Sequence, residues 1–95
     1  PDIVLLSKIY YSCDTFQKIK EDLEVSKQAL YFRLIDLLRL YEVDTELAIK
    51  QAVEEYLDGQ NASIHHYFHQ VKEVLISEFN PYLCNIVIPK MQDDD

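Results

Sequence analysis

The chain has 95 residues, 48% of them hydrophobic, with one Gly and three Pro. That is the length of one domain, with enough apolar content for a single core and too few turn-formers for anything but long helices. A formal charge of -8 sits badly with a protein held mainly by phosphates, and no apolar run reaches the ~18 residues of a membrane span.

The opening run "PDIVLLSKIYY" has neither the basic lead nor the cleavage site of a secretory signal. A first residue of Pro rather than Met is expected of a piece of a longer chain. Cys13 and Cys84 sit in no CxxC or Cys/His cluster. Two buried free thiols in a reducing cytoplasm are the expectation.

The first predicted helix covers about Ile3–Tyr11, with a strand as the alternative for "DIVLL". A second opens at Asp14, where Gln17 three places on suggests a capping box. Its apolar stripe is Phe16, Ile19 and Leu23. A third opens at Ser26, a good N-cap, with Leu30, Leu34, Leu37, Leu38 and Tyr41 on its core face. A fourth opens at Asp44 or Thr45 and ends at Asp58, where Gly59 suits a left-handed C-terminal cap. Ile49, Ala52, Val53 and Tyr56 form its inner face, and Glu46, Lys50 and Glu54 are spaced for exposed ion pairs.

The fifth helix opens at Asn61 or Ser63 and runs to Phe79, before Asn80-Pro81. Ile64, Phe68, Val71, Leu75 and Phe79 form its core stripe. "YLCNIVIP" (Tyr82–Pro89) is β-branched and reads as extended. A lone strand cannot satisfy its backbone, so it needs "DIVLL", a second copy or a partner to pair with. The expected fold is therefore all-α: about five helices, a helix-turn-helix-like pair at residues 14–41, and a short extended C-terminal segment. Residues 1–92 form one helical domain, and 93–95, "DDD", an acidic disordered tail.

The charge is uneven. Residues 1–43 hold six Lys/Arg against seven Asp/Glu, and residues 44–95 hold three against ten. The helix-turn-helix half is nearly neutral. In such a pair the first helix braces the second, which enters the major groove. Ile19, Leu23, Val25, Leu30 and Leu34 are apolar where the two must pack. Lys20 stands where a small residue is usual, and Glu24 where Gly usually supplies a positive φ. With Leu30 and Leu34 inward, the outer face carries Lys27, Gln28, Tyr31, Phe32 and Ile35. Tyr31, Phe32 and Ile35 suit a protein partner. For DNA, the contacts would be Lys27, Gln28, Tyr31 and Arg33. Lys18–Asp22, Lys20–Glu24 and Asp36–Arg39 are spaced to neutralise other cations.

"VSKQALYFRL" is similar to the recognition helices of many bacterial regulators. Pro1, Val25-Ser26 and Arg33-Leu34 lie at a spacing that resembles the segment after the zinc motif in the ImmA/IrrE metallopeptidase family. The resemblance covers about residues 1–40. It implies a helical C-terminal portion without the peptidase chemistry, because the HExxH motif is absent. In that family the activity is linked to cleaving transcriptional repressors, a role this portion could support only by binding.

"HHYFH" places His65 and His69 four apart on one helix flank, the spacing of two metal ligands. Two ligands alone make no site, so no metal is assigned. "EDLE" (Glu21–Glu24) and "EYLD" (Glu55–Asp58) invite comparison with the magnesium-holding acids of MazG-type nucleotide pyrophosphatases, and "VDTELAIKQAVEEYL" resembles one of their later helices. "RLIDLL" has Arg33 where that family has Glu, and the acids lie beside lysines. The expectation is a cytoplasmic, non-enzymatic regulatory module without a cofactor. It binds protein, in transcription control or a phage or mobile-element circuit, and can form a homodimer. DNA binding is the first alternative and a MazG-like activity the second.

Overall fold

The computed structural model describes residues 2–79. Five α-helices account for most of them: α1 (Asp2–Leu6), α2 (Phe16–Leu23), α3 (Lys27–Leu40), α4 (Glu46–Leu57) and α5 (Ala62–Phe79). No strand occurs among the described residues, and none of their helices is long and apolar enough to cross a membrane. "DIVLL" is helical, so it offers no edge to an extended segment. The predicted strand at 82–89, the tail at 93–95 and the side chain of Phe79 lie outside the described residues.

α1 passes directly into a π-helical turn, Ser7–Tyr11. The Ser12 N–H donates to the Ser7 carbonyl at 2.9 Å, five residues back, and the Asp14 N–H to Lys8 at 2.8 Å. π turns are rare and need side-chain support. The caps that follow are side-chain hydroxyls. Thr15, Ser26 and Thr45 accept from the backbone amides of Lys18, Ala29 and Ala48 at 3.1, 3.1 and 3.2 Å. The predicted Asp14–Gln17 box is thus displaced by one residue. α2 begins at Phe16, so Thr15 is the residue in cap position, and the Asp14 carbonyl instead accepts from the Tyr56 hydroxyl. Gln17 donates to Glu21.

Four chain reversals end in the left-handed region: Cys13 (φ 54°), Glu24 (54°), Glu42 (51°) and Gly59 (94°). After α2, Val25 donates to Lys20 at 3.2 Å; after α3, Val43 donates to Leu38 at 3.4 Å; after α4, Gln60 donates to Glu55 at 2.9 Å. All three are six-to-one Schellman closures, and only the last has glycine. Cys13 is exposed rather than buried, because it occupies this reversal outside the core.

The core joins every element. Leu5, Leu6 and Ile9 meet Phe16 and Ile19, the buried face of α3, Ile49, Val53 and Tyr56 of α4, and Ile64, Phe68, Val71 and Leu75 of α5. Phe16 lies edge-on to Tyr56 at 5.9 Å, which with the Tyr56–Asp14 bond pins the start of α2 to α4. Burial, with Asp14 beside it, pushes the Tyr56 phenol well above its ordinary pKa. The loop after α3 is fastened to α5 by the Tyr67 hydroxyl, which donates to Asp44 at 2.6 Å.

Glu24→Gly and Glu42→Gly should each stabilise the fold. A left-handed L-residue costs about 1–2 kcal/mol, part of which glycine returns as unfolded-chain entropy, leaving a net gain of about 0.5–1 kcal/mol. Urea unfolding reads this; a loss in either variant would show that the Glu side chain itself holds the turn.

The Tyr67–Asp44 bond sets a pH dependence. Asp44 is lowered below its ordinary value, first by the Tyr67 hydroxyl and then by the Thr45 amide. Tyr67 is pushed up to about 12, chiefly by Asp44. The carboxylate's contribution is therefore full above the unfolded Asp value near ~3.9 and is lost as pH falls through the lower folded value. The tyrosine's is full below its ordinary value near ~10 and fades toward pH 12. The stability gap between wild type and Tyr67→Phe should be widest near neutral pH and narrow at both ends. A gap of constant size from pH 2.5 to 7 would contradict this.

Candidate interaction face on the third helix

α3 and α4 form an antiparallel pair whose register is visible in two cross-helix bonds. Tyr31 donates to Glu54 at 3.3 Å, and Arg39 to Glu46 at 2.6 Å. These bonds redirect the acids of α4. Glu46 pairs with Arg39 and Glu54 takes the Tyr31 hydroxyl, so the predicted Glu46–Lys50–Glu54 ladder does not form among the described residues. Burial, then the Glu54 carboxylate, raises the Tyr31 phenol above its ordinary pKa.

The α3 surface beside this pair is an open groove of about 450 Å3, lined by Lys27, Gln28, Tyr31, Phe32, Glu54 and Leu57. Phe32 is 50% exposed and meets the Tyr31 ring edge-on at 5.2 Å. Tyr31 and Leu57 are half-buried against the core. The two aromatics therefore stand where the sequence places them. Glu54 and Leu57 were not foreseen as part of the face. The only signal for them was the helical register that puts the end of α4 beside the start of α3.

Ile35 does not belong to this face. It is 1% exposed and part of the core. α3 packs against both α4 and α5, so its buried arc is wider than the single stripe of Leu30, Leu34, Leu37 and Leu38, and Ile35 falls inside it. Tyr41 is only partly buried at the edge of that arc.

The alternative DNA contacts Lys27, Gln28 and Arg33 are all exposed. Of the neighbouring cations, Lys18 pairs with Asp22 at 3.2 Å, and Arg39 with Asp36 at 3.3 Å as well as with Glu46. Asp22 also receives Lys8 at 3.3 Å, and bonds from Lys18 and Lys8 hold its carboxyl below the ordinary range. The predicted Lys20–Glu24 pair is absent among the described residues, since Glu24 turns away in its left-handed cap.

His65 and His69 are brought together, but around a ring. His65 stacks on Tyr10 at 4.6 Å with planes 20° apart, and its Nε2 lies 3.2 Å from the Tyr10 carbonyl. His69 Nδ1 lies 2.7 Å from the Tyr10 hydroxyl, and its Nε2 3.5 Å from Glu73. Lys72 sits 5.2 Å over the same ring. The histidine spacing thus serves to clasp the π turn onto α5. Among the described residues no three His, Cys, Asp or Glu side chains gather as a metal-ligand set.

Two truncations separate core from face. Ile35→Ala should cost about 2–4 kcal/mol, as a buried aliphatic does, and Phe32→Ala under about 1 kcal/mol. Equal costs in urea unfolding would mean that Phe32 is part of the core or Ile35 is not. No protein-family model matches the sequence, no curated protein matches it, and no solved structure matches the fold.

Proposed function

We propose that the chain is a small regulatory module that works by binding another protein through the outer face of α3. Its setting, on the likeness of "VSKQALYFRL" to the recognition helices of bacterial regulators and of about residues 1–40 to the ImmA/IrrE family, is transcription control or a phage or mobile-element circuit. The observation that carries this is the Tyr31–Phe32 pair, half out of the core beside a groove with an apolar floor. An exposed aromatic pair flanking a concavity is an anchor for a partner's apolar side chain. A DNA-reading face is polar and basic instead.

The cation count points the same way. With Lys18 and Arg39 committed to acids, Lys20, Lys27 and Arg33 remain on this half of the molecule without an ion pair among the described residues. Three cations neutralise about three phosphates, against the roughly 6–10 of a well-anchored reader. The groove wall also presents Glu54, which a phosphate backbone would meet with repulsion.

A second reading, DNA binding, is favoured by one observation. Lys27, Gln28 and Arg33 are exposed together on the first half of α3, the part of a recognition helix that meets base edges. Amide NMR titration with short random duplex DNA at low salt separates the two. The expected result is no movement at Lys27, Gln28, Tyr31 or Arg33. Shifts confined to those residues would establish the DNA reading and displace the first.

A further inference from the structure

We infer that the occupant of the α3–α4 groove is a basic amphipathic helix of a partner protein. The inference rests on the protein-binding role proposed above and adds the partner's chemistry. The groove supplies two features at once. Its floor is apolar, from Tyr31, Phe32 and Leu57, and its walls are the first turns of α3 and the last turn of α4. A helix with an apolar stripe matches that shape, anchoring through side chains at i, i+3, i+4 and i+7.

The charge comes from α4. Asp44 to Asp58 carry five acids and one lysine. Glu54, Glu55 and Asp58 crowd the C-terminal end of the helix, and its last turn has no basic residue. Acids at a helix C-terminus oppose the helix dipole, and cations are the stabilising choice there. The N-terminus of α3 lies alongside, in the register given by Tyr31–Glu54 and Arg39–Glu46, so the two dipole ends offset one another. The side chains remain: Glu54 lines the groove with Lys27, Asp58 follows Glu54 by four residues, about one turn of helical spacing, and Glu55 is engaged by Ser63 of α5. Ser63 donates to Glu55 at 3.1 Å and Tyr31 to Glu54, both neutral donors. None of the three acids has a cation partner among the described residues. Glu54 and Asp58 against Lys27 therefore leave this end of the groove net negative beside an apolar floor. A partner that places Leu-like residues on the floor and Lys or Arg along the α4 wall satisfies both. The net charge of -8 speeds its encounter with a cationic segment and slows that with an anionic one.

The full chain would be titrated, by amide NMR and calorimetry, with a synthetic Leu/Lys helix of roughly five turns. A shuffled peptide of the same composition and a Leu/Glu analogue serve as controls. The expected result is that Leu/Lys shifts cluster at Lys27–Phe32 and Glu54–Leu57, and that the shuffled peptide binds more weakly. Phe32→Ala, and separately Glu54→Lys with Asp58→Lys, should each weaken the Leu/Lys peptide about tenfold or more. Shifts scattered over the acidic surface and indifferent to Phe32→Ala overturn the inference, since they report charge without a site. Equal or tighter seating of the Leu/Glu analogue overturns the basic partner while leaving the protein-binding role intact. If neither peptide moves the groove, the inference fails. If duplex DNA then moves it, the protein-binding role fails too.

Discussion

The wide buried arc of α3 is the constraint from which the rest of the molecule follows. Leu30, Leu34, Ile35, Leu37 and Leu38 are all within 4% of full burial, so the helix is covered on well over one face. α4 and α5 both lie on it, and α2, α1 and the π turn close the core around them. The buried arc fixes which residues of α3 stay outside. They are Lys27, Gln28, Ala29, Phe32, Arg33, Asp36, Arg39 and Leu40. Arg39, at the far end, is neutralised internally by Asp36 and Glu46. The exposed aromatic Phe32 and the groove beside it lie on the first two turns.

The same packing sets where the acids of α4 lie. α4 lies antiparallel to α3, so its acidic C-terminal end sits beside the first turns of α3, and its Glu46 end sits beside Arg39. One helix thus closes the charge at one end of α3 and leaves it unbalanced at the other. Exposed pairs such as Arg39–Glu46 contribute little to stability. Their effect is on which surface remains charged, which bears on partner choice more than on folding.

The helix ends and most of the core were legible in the residues. Ser26, Thr45 and Gly59 mark boundaries because hydroxyl caps and left-handed glycines have local chemistry. Leu30, Leu34, Val53, Phe68 and Val71 follow helical spacing. The misreadings share a cause. Spacing along one helix shows which side chains share a face, but not how many neighbours cover it, so Ile35 was placed outside. It shows that His65 and His69 align, but not that Tyr10 arrives between them from a π turn far away in sequence. The helix-turn-helix pattern marked the positive φ at Glu24, whereas Glu42 takes a left-handed cap with no glycine to announce it, because the Schellman hydrogen bond and the core on either side fix the reversal. Asp14 and Thr15 are both good caps, and the Tyr56 bond to the Asp14 carbonyl decides between them only in three dimensions.

The π turn and the histidines add a last consequence. The Tyr10 carbonyl, in the π turn, lies within reach of His65 Nε2. The Tyr10 ring is gripped by His65 and capped by Lys72, while its hydroxyl engages His69. Three side chains around this one tyrosine therefore come from α5, which ties the first helical segment to the last. This clasp lies on elements other than α3 and α4. The interaction face can change its side chains without disturbing it, because the core and the clasp hold the frame independently of Lys27, Phe32 or Glu54. That division separates a frame fixed by buried side chains from an outer face whose residues can change without refolding.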